Sequence, residues 1–274
     1  MNYLITGAAR GIGRGLTRIL LQNGHRVFLL DSNAPELEYT ASLAARWAVN
    51  ATAYHAHLAD LSSREAVKTA VAAASAFFDG SLNVLVNNAM PPALLGHTMY
   101  DLEDEGSALD EWDTKLAVGL TAPFLLTRLC FPLLSQAKGS VVNITSTRAH
   151  QAEPHHEAYS AVKAGLLGLT QALAVSLGKP QGPGIRVNAL TLGWIDVDDE
   201  RREVDVTLDA DKRGSGVAWG RELREEDHTW HPAGRVGRVE DVASAVKFLA
   251  ESEFVTGTEL VVDGGVTRKL VYPE

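Results

Sequence analysis

Tyr159 and Lys163, in the segment YSAVK, have side chains that can move a proton, and they stand four residues apart. On a helix this spacing places both side chains on one face, where they can contact the same ligand. A phenol is a poor base at neutral pH, but a nearby ammonium group favours its phenolate form. The pair therefore predicts proton exchange between the phenol and an alcohol oxygen, although the same spacing also arises by chance on surface helices.

A glycine-rich turn, TGAARGIG at 6–13, follows the short apolar run 2–6 and precedes helix-like sequence. Gly7, Gly11 and Gly13 allow the backbone to turn sharply and to approach a pyrophosphate at the positive end of the helix. In the alternative interpretation these glycines only close a tight turn. The strand, turn and helix in succession favour a dinucleotide site.

The charged residues beside this turn indicate which dinucleotide binds. Asp31 ends the second apolar run, where a carboxylate accepts hydrogen bonds from ribose hydroxyls and repels a 2′-phosphate. Arg10, within the turn, either pairs with a 2′-phosphate or is a surface arginine paired with Asp31 or with solvent. We expect NAD(H) in preference to NADP(H).

The chain resembles the short-chain dehydrogenase/reductase family over nearly its whole length, in TGAARGIG, NNA at 87–89, Ser146, YSAVK and the closing ELVVDGG. The resemblance implies an NAD(H)-dependent oxidoreductase that interconverts a secondary alcohol and a ketone, with Tyr159 as the acid/base. It also implies that the Ser146 hydroxyl binds the substrate oxygen and that Lys163 contacts the nicotinamide ribose.

The same resemblance implies a set of coenzyme contacts. Asp60, with Leu61 beside it, is expected at the adenine, Asn87 and Ala89 beside the coenzyme, and the backbone of Ile195 at the nicotinamide carboxamide. The expected coenzyme-binding residues are Gly7, Arg10, Gly11, Ile12, Gly13, Asp31, Asp60, Leu61, Asn87, Ala89, Tyr159, Lys163 and Ile195.

Four positions near the nicotinamide end depart from the family pattern: Met90, Gly119, Leu192 and Val197. Gly119 replaces an asparagine that helps to hold a water behind the lysine, and we expect it to leave room for a water that it cannot position. Met90 is expected to project near the mouth of the active site. We interpret these changes as tolerated in a working enzyme; the alternative is a catalytically impaired NAD-binding scaffold or sensor.

Four residues are expected to line the substrate: Met90, His150, His156 and Trp194. Together with Trp219 or Trp230 they predict an apolar, partly aromatic pocket that suits a cyclic or aromatic ketone or alcohol. In the alternative interpretation the histidines are solvated and the tryptophans anchor a lid to the core. The histidine spacing fits no known metal site, so we expect no metal requirement.

Short apolar runs alternate with longer Ala/Leu-rich segments and predict strands at 2–6, 26–30, 51–56, 82–86, 140–144, 185–190 and 259–262. Alternation of this kind predicts a doubly wound α/β fold, in which a seven-stranded parallel sheet has helices on both faces. No linker or repeat divides the chain, so we expect a single domain over 1–274. The stretch at about 194–235 lacks steady periodicity and is expected to form a substrate lid.

The composition limits the classes of function. Hydrophobic residues make up 46% of the chain and charged residues 22%, as in ordinary globular proteins. A net charge of −9 gives no electrostatic reason for binding nucleic acid or an anionic membrane. The single cysteine, Cys130, forms no intrachain disulfide, and the start resembles no signal peptide, so we expect a soluble, cytoplasmic protein. The family resemblance implies a homotetramer or homodimer.

Overall fold

The computed structural model describes residues 1–91, 105–179, 182–197, 200 and 223–270. Its centre is a seven-stranded sheet in the order β3-β2-β1-β4-β5-β6-β9, with every neighbouring pair parallel. Its strands are β1 Asn2–Thr6, β2 Arg26–Asp31, β3 Tyr54–Leu58, β4 Val84–Asn87, β5 Ser140–Ser146, β6 Arg186–Leu192 and β9 Glu259–Val262. A separate short pair consists of β7 Ile195–Asp196 and β8 Gly237–Arg238. This sheet confirms the predicted doubly wound α/β class.

Helices connect the strands and cover both faces of the sheet. They are α1 Gly11–Gln22, α2 Ala34–Trp47, α3 Arg64–Phe77, α4 Glu105–Leu116, α5 Ala122–Leu129, α6 Phe131–Ala137, α7 Glu157–Leu177, α8 Glu225–Thr229 and α9 Val239–Glu251. A π-helical turn, Ala117–Thr121, joins α4 to α5. Turns of this type often occur at functional sites.

Two apolar clusters lie on opposite faces of the sheet. Leu16 of α1 and Val246 of α9 belong to the first, and Val71 of α3 and Leu126 of α5 belong to the second. The central strands are buried on both faces because helices cover each side, which explains why their sequences are apolar throughout rather than alternating.

Of the seven predicted strands, the third differs most from its predicted bounds. The third strand was expected at 51–56, but β3 spans Tyr54–Leu58. Asn50 Oδ1 accepts hydrogen bonds from the backbone N–H of Thr52 at 3.1 Å and from its hydroxyl at 2.8 Å. This Asx-type turn competes with strand pairing and delays the start of β3.

The strand order indicates where on the sheet a ligand crevice lies. The chain winds outward in one direction from β1 and in the other from β4, and these two strands are neighbours. Ligands of doubly wound folds bind at the carboxyl ends of the strands where the order reverses. Thr6 and Asn87, the last residues of β1 and β4, therefore mark the expected position of a ligand.

Helix α7 is long and apolar enough to cross a membrane by length and composition, with a mean hydropathy of 1.3 over its most apolar window. The helices at Ala108–Leu129 and Phe131–Ala137 meet the same criteria as a pair bent by 59°. Core helices also meet them, and α7 packs against β5 and β6 in the structure.

Candidate active site

The glycine turn between β1 and α1 depends on its glycines for close backbone contact. Gly7 and Gly11 have φ angles of +65° and +47°, in the region that favours glycine. A Cβ at Gly13 would lie 1.9 Å from the carbonyl oxygen of Gly7, and one at Gly7 would lie 2.9 Å from Cα of Ala89. The turn therefore tolerates no larger residue at these positions.

The N-terminus of α1 opens at this turn. The side chain of Arg10, which precedes the helix, forms no capping hydrogen bond, and no acidic residue lies in the first helical turn. A helix start of this kind presents backbone N–H groups and a positive dipole end to an anion. The residues present therefore fit the diphosphate of a dinucleotide.

Asp31 lies beside the turn as predicted. Its carboxylate accepts hydrogen bonds from the backbone N–H of Ala9 and of Asn33, each at 2.9 Å. A carboxylate has about four acceptor positions, so it retains capacity for ribose hydroxyls. Arg10 is partly exposed, and its Nε lies 3.9 Å from Glu36.

Asp60 and Leu61 follow β3 and differ in their surroundings. Asp60 is exposed and accepts hydrogen bonds from the backbone N–H of Ser62 at 2.9 Å and from its hydroxyl at 2.8 Å. The Leu61 side chain is buried in the second apolar cluster. Of these two side chains, only that of Asp60 reaches solvent, where an adenine could lie.

Tyr159 and Lys163 lie on α7, which packs against β5, and Ser146 is the last residue of that strand. Lys163 is buried, its Nζ donates to the carbonyl oxygen of Ile144 at 2.9 Å, and Nζ lies 5.4 Å from the centre of the Tyr159 ring. Ser146 Oγ accepts a 3.3 Å hydrogen bond from the backbone N–H of Arg148. The hydroxyl proton of Ser146 can therefore be donated to a ligand.

The contact between β5 and α7 is also fixed by main-chain groups. Thr145 Oγ1 donates to the carbonyl oxygen of Lys163 at 3.0 Å, so the strand end holds the helix at the turn that carries the lysine. Both ends of the lysine are thereby bonded to β5, which restricts the position of its ammonium group beside Tyr159.

Asn87 forms part of a buried amide chain that the sequence analysis missed. Its Nδ2 donates to Asn143 Oδ1 at 2.8 Å, and Asn143 Nδ2 donates to Thr170 Oγ1 at 2.9 Å. Within the described residues, Asn87 Oδ1 is buried without a hydrogen-bond partner. Such an orphaned acceptor is costly unless a ligand or water satisfies it, which fits a coenzyme beside β4. The available signal was a polar residue within the apolar run SVVNI.

Thr6, the last residue of β1, is hydrogen-bonded to the two residues that follow β4. Its Oγ1 accepts from the backbone N–H of Asn88 at 2.9 Å and from that of Ala89 at 3.0 Å. Asn88 Nδ2 donates back to the carbonyl oxygen of Thr6 at 3.0 Å. These bonds fix Ala89 beside Gly7 of the glycine turn.

Met90 and Gly119 lie in contact, which corrects the expectation for Gly119. Met90 was expected to project toward the mouth, and Gly119 to leave room for a water. A Cβ at Gly119 would instead lie 2.7 Å from Met90 Sδ and 2.5 Å from Val162 Cγ1. The space beside Gly119 is therefore filled by apolar side chains, because the flexible thioether occupies it.

The other two departures from the family pattern are Leu192, at the end of β6, and Val197, just after that strand. Leu192 is buried at the end of the strand, and the Val197 methyl groups lie 3.7 and 3.8 Å from a Cβ built at Gly11. Ile195 is also buried, and β7 pairs it with Gly237. The chain thus passes over the start of α1, with Ile195 and Val197 near the glycine turn.

Asp263, at the end of β9, supports this segment. A Cβ at Gly193 would lie 2.7 Å from Cα of Asp263, so the two backbones touch. Burial alone would raise the pKa of the Asp263 carboxyl, but hydrogen bonds from Thr267 and Gly265 outweigh it and hold that pKa below its usual value. The carboxylate stays ionised and fixes the turn after β9.

The predicted substrate-lining residues lie in different surroundings. The His156 ring is nearly buried and stands edge-on to Tyr159, with 6.2 Å between ring centres. His150 Nε2 instead lies 2.6 Å from Glu259 Oε1 on β9. Trp194 is partly exposed, and its carbonyl oxygen accepts from Gly237 N–H at 3.0 Å. The structure therefore brings His156, rather than His150, next to Tyr159.

The predicted lid begins at β7 and ends near β8. Most of it lies outside the described residues, as does Trp219. Trp230 is described: its carbonyl oxygen accepts from Lys269 Nζ at 3.2 Å, and that ammonium lies 4.2 Å from the ring centre. Among the described residues, no cluster of three or more histidine, cysteine, aspartate or glutamate side chains could hold a metal ion.

Comparison with known proteins identifies relatives along nearly the whole chain. A family model described as enoyl-(acyl carrier protein) reductase matches residues 7–267. An uncharacterized oxidoreductase of Thermotoga maritima is 33% identical over 99% of this chain and 97% of its own length. D-threitol dehydrogenase of Mycolicibacterium smegmatis is 30% identical over 97% of this chain and 92% of its own length.

A solved structure shares the fold. The short-chain dehydrogenase/reductase of unknown function from Caenorhabditis elegans, solved with cofactor, superposes with a TM-score of 0.79 and 26% identity. The match covers 98% of this chain and 96% of that one.

Proposed function

The chain belongs to the short-chain dehydrogenase/reductase family of oxidoreductases, and from this premise we propose that it interconverts a secondary alcohol and a ketone with NAD(H), using Tyr159 as the acid/base. The observation that supports the proposal is the position of Tyr159 and Lys163 on α7, which a hydrogen bond from Thr145 joins to the end of β5. There the buried Lys163 ammonium lies 5.4 Å from the Tyr159 ring centre.

Each of the three side chains has a distinct role in the proposed reaction. In the oxidation direction the Tyr159 phenolate accepts the proton of the alcohol hydroxyl, and the Lys163 ammonium stabilises that phenolate. Ser146 donates its hydroxyl proton to the substrate oxygen while its oxygen accepts the backbone N–H of Arg148. A bound nicotinamide would supply the hydride-acceptor chemistry that conversion of the alcohol to the ketone requires.

Three parts of the proposed site would hold the coenzyme. The start of α1 and the glycine turn would hold the diphosphate, Asp31 the adenosine ribose, and the unpaired Asn87 Oδ1 would accept a hydrogen bond near the nicotinamide. NAD(H) is proposed over NADP(H) because a carboxylate beside the ribose repels a 2′-phosphate.

The substrate class rests on the residues around Tyr159. His156 lies beside Tyr159 and supports the expectation of a cyclic or aromatic ketone or alcohol. We propose that a lid at about 194–235 covers this substrate. The threitol dehydrogenase relative adds linear polyols as a second class to be tested. We propose a cytoplasmic homotetramer or homodimer with no metal requirement, no nucleic-acid partner and no membrane partner.

The test combines coenzyme binding with turnover. NADH and NADPH are titrated by fluorescence, and cyclic ketones, aromatic alcohols and linear polyols are then assayed by the appearance or loss of NADH absorbance. We expect tighter binding of NADH and turnover of at least one secondary alcohol or its ketone. Tighter NADPH binding would contradict the coenzyme proposal, and chelator-sensitive turnover would contradict the absence of a metal.

The alternative function is an NAD-binding scaffold or sensor. The contact between Met90 and Gly119, where the family pattern has an asparagine, is the observation that favours it. Under this alternative NADH binds, but neither polyols nor cyclic substrates turn over. Turnover in the wild type that is lost in Tyr159→Phe would rule out this alternative function.

A further inference from the structure

Gly119 lies at a point where the π-helical turn meets α7. It is buried, and a Cβ built on it would be 2.5 Å from Val162 Cγ1 and 2.7 Å from Met90 Sδ. Real Cβ atoms essentially never approach other atoms so closely, so any side chain at 119 must displace one of these neighbours. The residue at 119 and the residue at 90 therefore compete for one space.

This contact joins the two surfaces that enclose the proposed coenzyme site. Met90 follows β4 directly after the Asn87–Ala89 segment, which carries the unpaired Asn87 Oδ1. Val162 lies on α7 between Tyr159 and Lys163 and is fully buried. The Met90 thioether is thus inserted between the end of β4 and the helix that carries the proton-transferring residues.

Two further glycines, both on α7, show where the π-helical turn packs closely on that helix. A Cβ at Gly165 would lie 3.2 Å from Leu120 Cδ2, a tight contact. One helical turn further along α7, a Cβ at Gly168 would meet nothing within 4 Å among the residues that the structure describes. The π-helical turn therefore packs closely on α7 at Gly165 and not at Gly168.

We infer that Met90 is a positioning residue: its thioether fills the notch at Gly119 and sets the distance between the end of β4 and α7. The inference rests on the proposed function, since it assigns a catalytic consequence to that distance. A flexible, polarizable thioether suits such an irregular gap. Because a displacement of about 1 Å can cost about 100-fold in rate, the contact controls turnover more than coenzyme binding.

The experiment uses the whole chain in four variants. Gly119→Ala introduces the clash, Met90→Ala empties the notch, Met90→Leu keeps its volume, and the double variant Met90→Ala/Gly119→Ala combines both changes. Gly168→Ala is the matched control, because it adds the same methyl group to α7 in open space. Each protein is assayed for kcat, KM, the pH profile of kcat, NADH affinity and the thermal unfolding midpoint.

We expect Gly119→Ala to lower kcat by about 100-fold, with NADH affinity unchanged and Gly168→Ala like wild type. Met90→Ala alone lowers kcat, but in the Gly119→Ala background it raises kcat by about tenfold, because the methyl group then occupies the emptied notch. Met90→Leu retains most of the activity, since leucine and methionine have similar volumes. If Gly119→Ala fails to fold, Met90→Ala and Met90→Leu still test whether kcat follows side-chain volume.

Additive effects of the two substitutions would overturn the inference, as would equal behaviour of Gly119→Ala and Gly168→Ala. Changes in KM and NADH affinity without a change in kcat would also overturn it. Failure of the proposed function is seen separately, as turnover that persists in Tyr159→Phe. An inactive Tyr159→Phe together with additive Met90 and Gly119 effects would overturn the inference alone.

Discussion

The glycine turn and the π-helical turn each bring a glycine against another part of the chain, but the neighbouring atoms differ. At Gly13 a Cβ would meet the carbonyl oxygen of Gly7 at 1.9 Å, an atom of the backbone. At Gly119 it would meet Val162 Cγ1 and Met90 Sδ, which belong to side chains. Side chains can be changed by a second substitution, whereas the backbone oxygen cannot. The comparison predicts that a substitution at Gly119 can be compensated at a neighbouring side chain, whereas one at Gly13 cannot.

The largest effect on coenzyme binding is expected at the backbone contact of Gly13. Gly13→Ala should cost about 3 kcal/mol in folding or coenzyme binding, because overpacking against a fixed atom forces the turn to move. We expect NADH affinity, measured by fluorescence titration, to fall about 100-fold. No substitution at a neighbouring side chain should restore it. A single suppressor that restores binding would remove the distinction between the two regions.

The diphosphate end also depends on Asp31, which accepts the N–H groups of Ala9 and Asn33. Asp31→Ala should weaken NADH binding about tenfold, because two donors lose their acceptor. Asp31→Asn retains an acceptor but removes the charge, so it should raise NADPH affinity relative to NADH. Asp79→Ala, at an exposed aspartate, serves as the control. An unchanged ratio of NADPH to NADH affinity in Asp31→Asn would contradict the role of the charge.

Much of the fold and part of the site could be predicted from the sequence. Buried parallel strands have short apolar runs that are separable from Ala/Leu-rich helices, so the strands were found and only β3 was clearly displaced. The approach of Tyr159 and Lys163 follows from their spacing on one helix. The contacts of Asn143 and Met90 could not be predicted, because strands buried on both faces have no alternation that assigns each side chain to a partner.

The nicotinamide end of the proposed site is held by side-chain hydrogen bonds. We expect a substitution there to have a smaller effect than Gly13→Ala. Thr170→Val removes the hydroxyl that accepts from Asn143 Nδ2, which leaves a buried donor unpaired at a cost of about 2 kcal/mol. We expect lower stability in urea unfolding and weaker NADH binding through displacement of Asn87. Thr69→Val, at an exposed helical threonine, is the control. Stability and NADH affinity equal to those of Thr69→Val would show that the amide chain does not support the site.

The smallest effect concerns Cys130, which lies between α5 and α6 beyond the π-helical turn. Burial raises the pKa of its thiol to about 12, so the reactive thiolate is scarce at neutral pH. The native protein should therefore react with a disulfide reagent only through opening of this region, whereas the unfolded protein reacts at once. Faster labelling in Met90→Ala than in Gly168→Ala would indicate that the contact at Gly119 stabilises α5. Equal labelling rates would indicate that the contact at Gly119 affects α7 and does not stabilise α5.

The central claim is that Tyr159 transfers the proton while the coenzyme site forms independently of its hydroxyl. The most direct measurement is NADH binding and steady-state turnover in Tyr159→Phe, side by side with wild type and one responsive substrate. We predict that turnover falls by about 1,000-fold, a typical loss for a general acid/base, while NADH affinity is retained. Turnover close to wild type in this variant would contradict the account.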